Sequence, residues 1–192
     1  MRKPVAAEPE REAFADGAAL RQRLWQELQR AAVDRHHDWR TPVLATTGLD
    51  GLAQARTVVL REVRRLDQQL LIYTDARSPK VAELLAQPIA SLLCWSARLH
   101  WQLRLQLRFS VSRNDAEASA AWERVRQSPS ASDYLTARAP GERLSETPEP
   151  SLETPQLAVL RGEVLTMDWL ELGRAGHRRA KLDAQRVEWL VP

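Results

Sequence analysis

The side chains of this sequence that could do chemistry are mainly basic or hydrogen-bonding residues at the ends of predicted strands. They are Arg56, Arg61, Arg77, Lys80, Gln102, Arg104, Arg178 and Arg179. An organic phosphate is bound by arginine forks, by a lysine charge and by the free N–H groups of a helix N-terminus. Ser78-Pro79-Lys80 offers a lysine at the start of a predicted helix. The set could therefore bind a phosphorylated ligand, although composition alone favours a solvated charged surface.

The sequence lacks the motifs that are typical of several other kinds of functional site. The sequence has no glycine-rich dinucleotide loop, no phosphate-loop signature, no zinc-binding His-Glu-x-x-His helix and no serine elbow. One cysteine, Cys94, excludes an internal disulfide and a cysteine-cluster metal site, and we expect it to be a small buried side chain. His36 and His37 are adjacent, so they would project differently from a helix. We expect them to be favourable cations at the end of the first helix, with no bound metal.

Composition predicts a single domain without a nucleic-acid or membrane partner. The chain has 192 residues, of which 44% are hydrophobic, and its 28 basic residues are interspersed with 25 acidic ones. No apolar run approaches the roughly 18 residues that a membrane helix needs. Residues 1–15 show no helical periodicity, so we expect them to be a flexible N-terminal lead. They contain no apolar signal region, so we expect a cytoplasmic protein. The folded domain is predicted to span residues 16–192.

Hydrophobic spacing predicts mostly strands with a few helices. A helix is expected over 17–34 with Asp16 as its N-cap, a short one from Ser78-Pro79 to before Pro88, and a third over 115–126 capped by Asn114. Strands are expected over 42–47, 55–61, 70–74, 89–95, 101–111, 157–165, 169–172 and 187–191, with a hairpin turn at Asp50-Gly51.

The strand over 101–111 has the clearest alternation of apolar and polar side chains. Closely spaced strands with few helices favour an antiparallel barrel with helices packed outside it. Between residues 128 and 155 the composition shifts to Ser, Pro, Thr and Glu, which predicts a mobile loop in that part of the domain.

The order of several short motifs resembles the pyridoxamine 5'-phosphate oxidase family of FMN-binding split barrels. The motifs are Arg56-Thr57-Val58-Val59-Leu60-Arg61, Tyr73-Thr74-Asp75, Ser78-Pro79-Lys80, Trp95 with Gln102, and Trp169, His177 and Arg179 followed by Trp189-Leu190-Val191-Pro192. The resemblance covers nearly the whole chain after the first helix. It implies a mainly β (α+β) fold, an antiparallel six-stranded split barrel with flanking helices. It also implies a homodimer that binds FMN between its subunits and acts on a small molecule such as a phosphorylated B6 vitamer.

The resemblance also implies a role for individual residues. The FMN-binding set is Arg56, Thr57, Val58, Val59, Leu60, Arg61, Tyr73, Thr74, Ser78, Lys80, Gln102, Trp169 and Arg179, with Arg56 and Lys80 on the phosphate. The substrate-binding set is Arg61, Arg126, Ser130 and His177. His177 and Arg179 are the implied catalytic pair.

Four departures from the family pattern fall mostly on the substrate side. Pro79 replaces a phosphate-binding arginine, unless Arg77 substitutes for it, and Arg61 replaces a lysine. Trp122 stands in place of a tyrosine, and Ala175 stands in place of an arginine. FMN binding with oxidation of pyridoxamine or pyridoxine 5'-phosphate is the main hypothesis. The alternative is an FMN-binding protein without that turnover, which would be a flavin carrier, a sensor or a reductase with another substrate.

Overall fold

The computed structural model describes residues 16–143, 152–174 and 176–192. The described helices are α1 (Gly17–Val33), α2 (Pro79–Ala86) and α3 (Ala116–Val125), with two short 3-10 helices at Asp38–Arg40 and Pro129–Tyr134. The described strands are β1 (Val43–Thr47), β2 (Ala53–Thr57), β3 (Leu60–Arg64), β4 (Gln69–Asp75), β5 (Ile89–Ser96), β6 (Trp101–Arg113), β7 (Leu157–Glu171), β8 (Arg178–Leu182) and β9 (Val187–Leu190). None of the described helices is long and apolar enough to span a membrane.

All described strand pairs are antiparallel and belong to one sheet in the order β2-β1-β5-β6-β7-β4-β3. β7 has 15 residues, and its first half pairs with β4 while its second half pairs with β8 on the same edge. β9 then pairs with β8. The expected antiparallel sheet with flanking helices is confirmed. The described residues form nine strands, and β8 and β9 continue the sheet along the edge of β7 beyond its pairing with β4.

Three expected element boundaries were wrong. The run 55–61 is not one strand, because the chain turns at Val58 and Val59, where the Val58 N–H donates to the Pro42 carbonyl at 2.9 Å. The runs 157–165 and 169–172 form the single strand β7, whose register against β6 shifts once between Gln106 and Leu107. The cap of α3 is Asp115, whose carboxylate accepts from the Ala118 N–H at 2.9 Å.

The main core lies between α1 and the inner face of the sheet, and a smaller core lies under α3. In the main core the buried rings of Trp39, Trp101 and Trp169 pack in sequence, with centroids 6.5 Å and then 5.3 Å apart. The smaller core includes Tyr73 and Tyr134. The sheet is thus covered on both faces at the β4 end, which brings the segment after α3 close to β4.

The interpretation of His37 as an exposed helix-end cation was wrong. His37 is buried, and its Nδ1 accepts the Trp39 N–H at 3.1 Å while Nε2 donates to the Glu27 carboxylate at 2.9 Å. Burial acts to raise the pKa of Glu27, but the His37 hydrogen bond and the charges of Arg23 and Arg30 lower it overall. Cys94 is buried as expected, and burial raises the pKa of its thiol to about 12.

Candidate functional site

A lysine and two hydroxyls meet where β4 ends and α2 begins. Lys80 Nζ donates to Thr74 Oγ1 at 3.0 Å and to Ser78 Oγ at 3.1 Å, and the two oxygens are 3.2 Å apart. Both hydroxyl residues are buried. Pro79 occupies the first helical position, where a missing N–H costs nothing, and the Ser78 side chain makes no capping bond to the helix. The Ser78 hydroxyl is therefore available to Lys80 and to a ligand.

Arg56 approaches the same place from β2. One guanidinium nitrogen donates to Glu83 Oε2 at 2.8 Å, and another donates to the Thr46 hydroxyl. Thr46 Oγ1 in turn donates to Glu83 Oε2 at 2.6 Å. Glu83 lies on α2 and is 6% exposed, so it holds Arg56 against the helix that carries Lys80. We call Arg56, Thr74, Ser78 and Lys80 the cation–hydroxyl cluster.

The electrostatics of the cation–hydroxyl cluster suit a dianion. Burial lowers the pKa of Lys80, and the positive charge of Arg56 lowers it further, while Glu83 and Asp75 oppose the shift. Two neighbouring cations repel each other, and a phosphate between them would relieve that repulsion. The hydroxyl oxygens of Thr74 and Ser78 both accept from Lys80, and one of the two hydroxyls donates to the other. The hydrogen of the remaining hydroxyl is available to donate to a phosphate oxygen. The residues present thus fit a phosphate monoester.

Arg61 forms a second cationic position on β3. Its positive charge lies near the phenol of Tyr134, which is in the 3-10 helix after α3, and acts on the pKa of that phenol. Its Nε is buried without a hydrogen-bond partner among the described residues. Burial raises the pKa of Tyr134, although Arg61 acts in the opposite direction. The unsatisfied N–H marks a place where a ligand acceptor would be favoured.

Arg77, the residue that could substitute for the phosphate-binding arginine that Pro79 replaces, is engaged by contacts within the chain. Its guanidinium pairs with Asp75 at 2.6 Å and donates to the carbonyl of Ala137 at 2.8 Å. The pKa of Arg77 is raised, chiefly by the hydrogen bond to Asp75. The side chain is therefore directed to the segment after Tyr134.

Gln102 and Arg179 lie on the outer face of the sheet. The strand register places Trp95, Gln102, Leu170 and Arg179 in one row across β5, β6, β7 and β8. Asp168, one residue earlier on β7, accepts from Arg179 Nε at 3.0 Å and from Nη2 at 2.8 Å. This fork fixes the guanidinium of Arg179 on the outer face.

Trp169 lies in the main core, with its ring edge-on to Trp101 and Trp189 at centroid distances of 5.3 and 6.3 Å. It is fully buried, and its Nε1 has no hydrogen-bond partner among the described residues. A role for Trp169 at a flavin remains a prediction. Within a single chain, the Trp169 ring packs under the same sheet whose outer face carries Arg179.

The other predicted site residues are scattered. Thr57 is exposed, Val59 is partly buried, and Val58 and Leu60 are buried at the bend between β2 and β3. Tyr73 lies under α3, and Arg126 pairs with Glu123 at 2.8 Å. Ser130 is partly buried in the 3-10 helix, and His177 is exposed after Gly176, whose φ is 128°.

One chain therefore brings together the cation–hydroxyl cluster but leaves Gln102, His177 and Arg179 elsewhere. Sequence reasoning missed Thr46, Glu83 and Tyr134. The i,i+3 spacing of Lys80 and Glu83 gives a weak signal for one of them. Thr46 and Tyr134 have no local signal, because their contacts depend on the folded hairpin and on the chain returning after α3.

Comparison with known proteins identifies the domain. Residues 21–112 match the family model for the FMN-binding domain of pyridoxamine 5'-phosphate oxidase. This range includes β1 to β5, all of β6 except its last residue, and the whole cation–hydroxyl cluster.

Two curated relatives are both named pyridoxine/pyridoxamine 5'-phosphate oxidase. The protein of Thermosynechococcus vestitus is 46% identical over 63 residues, which are 33% of this chain and 29% of that protein. The protein of Chromohalobacter salexigens is 35% identical over 94 residues, which are 48% of this chain and 42% of that protein. The chain thus spans less than half the length of the curated relatives it matches.

A crystal structure from Nostoc punctiforme is similar over nearly the full length. It is described as a pyridoxamine 5'-phosphate oxidase-related, FMN binding protein. It is 22% identical, covers 97% of this chain and 99% of its own, and superposes with a TM-score of 0.67. This likeness confirms the expected split-barrel fold. Residues 21–112 of the chain are thus similar to the FMN-binding domain of the pyridoxamine 5'-phosphate oxidase family, and the cofactor that this domain indicates is FMN.

Proposed function

We propose that the protein is an FMN-dependent oxidoreductase that acts on a small molecule, with phosphorylated B6 vitamers as the first candidates. The observation that carries this proposal is that Lys80 hydrogen-bonds the buried hydroxyls of Thr74 and Ser78, while the positive charge of Arg56 lies close enough to lower the pKa of Lys80. The cluster offers two positive charges and two hydroxyls, which match the terminal phosphate of FMN. The curated relatives supply the reaction class, because both are named as oxidases of phosphorylated B6 compounds.

A second copy of the chain is part of this proposal. Gln102 and Arg179 lie on the outer face of the sheet, whereas Arg56 points toward α2. The outer face also exposes apolar side chains, including Trp95 at 45% and Leu93 at 37%. Burying these side chains against a second chain is favourable and would bring the outer row of one subunit toward the cluster of the other. We therefore propose a homodimer with shared sites.

Each group has a distinct task in the proposed reaction. FMN, when bound, would supply the redox chemistry, which is the two-electron oxidation of the substrate carbon that bears the amine or hydroxyl with dioxygen as the final acceptor and hydrogen peroxide as its product. Arg56 and Lys80 neutralise the cofactor phosphate, and Arg61 offers its free Nε–H to an anionic group of the substrate. Asp168 holds the Arg179 fork in a fixed orientation, which lowers the entropic cost of binding an anion there. We propose that His177 contacts the amine or hydroxyl of the substrate.

FMN binding without this turnover is the second candidate function. It is favoured by the absence of an arginine at Pro79 and by the engagement of Arg77 with Asp75 and Ala137. The Nostoc punctiforme relative is likewise described as an FMN binding protein related to the oxidase. Such a protein would carry or sense flavin, or reduce another substrate.

The test combines cofactor, mass and turnover measurements on the purified protein. We expect a yellow protein that releases FMN on denaturation, a dimeric mass by light scattering, and peroxide with pyridoxine or pyridoxamine 5'-phosphate. FMN release without peroxide from either compound would favour the second function. A monomer that retains FMN would refute the shared site. No retained flavin after incubation with excess FMN would refute both functions.

A further inference from the structure

Arg77 binds the segment that follows Tyr134 through consecutive backbone carbonyls. Nη1 donates to Ala137 O at 2.8 Å, and Nη2 donates to Thr136 O at 2.9 Å and Arg138 O at 3.1 Å. Nε and Nη2 also hold both carboxylate oxygens of Asp75, at 3.0 and 2.6 Å. Every nitrogen of the guanidinium is thus engaged within the chain. Arg77 therefore connects the turn after β4 to residues 136–138, and we call this set of hydrogen bonds the Arg77 bracket.

Backbone contacts support the same connection. The Ala76 N–H donates to Gln156 O at 2.7 Å, and the Gln156 N–H donates to Tyr134 O at 2.8 Å. The Leu152 N–H donates to Leu135 O at 2.7 Å. The turn after β4, the Tyr134 region and the start of β7 are therefore joined by hydrogen bonds in series. These described parts of the predicted mobile loop are tied to the sheet.

The two ends of this connection carry the two candidate ligand positions. The turn after β4 continues into Ser78 and Lys80 of the cation–hydroxyl cluster. On the other side, Tyr134 lies near Arg61, whose charge acts on the pKa of the Tyr134 phenol and whose buried Nε–H lacks a partner among the described residues. A displacement of residues 136–138 would move Tyr134 and so would change the surroundings of the Arg61 side chain.

We infer that Arg77 is a positioning residue, which holds residues 134–138 against the turn at 75–80 so that Tyr134 fixes Arg61 for an anionic substrate. The role assigned to Arg61 rests on the proposed function, whereas the bracket itself does not. The side chain of Asp75 is 4% exposed, so water competes weakly for this fork. A lysine could replace the charge of Arg77 but could not reach both carboxylate oxygens and three carbonyls together.

Hydrogen exchange on the flavin-free protein tests the bracket alone. The amides of Leu135, Leu152 and Gln156 report on the segment, because each donates within it. We expect Arg77→Ala to accelerate their exchange about tenfold or more and Arg77→Lys to accelerate it less, since several charge-assisted hydrogen bonds are lost. Amides of α1 should be unchanged in both variants. Arg65→Ala, which removes an exposed arginine, is the matched control. Unchanged exchange of the three amides in Arg77→Ala would refute the bracket.

Ligand measurements separate positioning from direct binding. Arg77→Ala should change the Kd for FMN less than about threefold, whereas the KM for pyridoxine 5'-phosphate should rise about tenfold. Tyr134→Phe should raise KM similarly without accelerating exchange, because it removes only the phenol oxygen near Arg61 and leaves the backbone contacts of the segment in place. A loss of FMN affinity as large as that caused by Lys80→Ala would make Arg77 a phosphate ligand and overturn the inference. If the wild type shows no turnover, the substrate proposal fails and the exchange experiment alone decides the bracket.

Discussion

Replacing Arg56 with alanine should weaken both the fold and the binding of FMN, for separate reasons. The substitution leaves the carboxylate of Glu83, on a residue 6% exposed, without its ion-pair partner and with only the Thr46 hydroxyl as donor. Removing one partner of a fully buried ion pair costs about 3 to 5 kcal/mol. The Arg56 side chain is 23% exposed, so water screens the pair. We therefore expect the free energy of unfolding to fall by about 1 to 3 kcal/mol.

The loss of FMN affinity has an independent origin. A charge-assisted hydrogen bond to the phosphate contributes about 1.5 to 3 kcal/mol, which corresponds to roughly tenfold to a hundredfold in Kd. The double variant Arg56→Ala/Glu83→Gln neutralises the abandoned carboxylate. It should recover most of the lost stability but none of the lost affinity, since the phosphate contact is still missing.

Two titrations measure these effects. Urea unfolding of the flavin-free protein gives stability, and quenching of FMN fluorescence gives Kd for the wild type, the single variant and the double variant. Wild-type FMN affinity in Arg56→Ala would place the phosphate elsewhere. Recovery of affinity in the double variant would show that Arg56 acts only by neutralising Glu83. Either result would refute the assignment of Arg56 to the phosphate.

Three further predictions concern the cores. Gly162→Ala should lower the free energy of unfolding in urea by about 1 to 3 kcal/mol, because an added Cβ would lie 2.9 Å from Phe109 Cε1; an unchanged midpoint would contradict this close packing. The wild type should have a higher free energy of unfolding than Glu27→Gln, and this difference should be complete above pH 4.5 and vanish as the pH falls through the lowered folded-state pKa of Glu27. Urea titrations across that range would contradict the prediction if the difference grew on acidification. Cys94 should react with a disulfide reagent at pH 8 only after unfolding, because burial raises the pKa of its thiol to about 12, so rapid labelling of the native protein would disprove its burial.

Local sequence signals predicted most elements but few of the site contacts. Asp16 and Pro79 mark helix starts because capping and a fixed φ act over one turn. The hairpin around Gly51 follows from its turn residues, and Gly51 has a φ of 80°. The pair of Thr46 with Glu83 could not be predicted, because it joins residues 37 positions apart through tertiary packing.

The motif order indicated the family and a phosphate position, because the residues around Lys80 act within one turn of chain. Burial of Trp169 could not be read from the motif, since the same alternating pattern allows either face of a strand to be the inner one. The bend at Val58 was missed for a related reason. The β-branched run Thr57-Val58-Val59 spans the bend and so predicts one continuous strand, and only the hydrogen bond of Val58 to Pro42 shows where the first strand ends.

The register shift in β7 fixes which face each later residue of that strand occupies. Leu107 is opposite Val164 and Gln106 is opposite Thr166, so Leu165 is an extra residue, a β-bulge. Before the bulge the even-numbered Val164 faces the core, and after it the odd-numbered Trp169 does. Without this bulge, Leu165 would occupy a regular strand position, and residues 166 to 171 would exchange faces, with Asp168 inward and Trp169 outward. Deleting Leu165 would keep their faces, because Val164 and Thr166 would then pair with Leu107 and Gln106 in regular register. The bulge therefore allows Val164 and Trp169 to share the inner face while the Asp168 carboxylate stays on the outer face, where it orients Arg179.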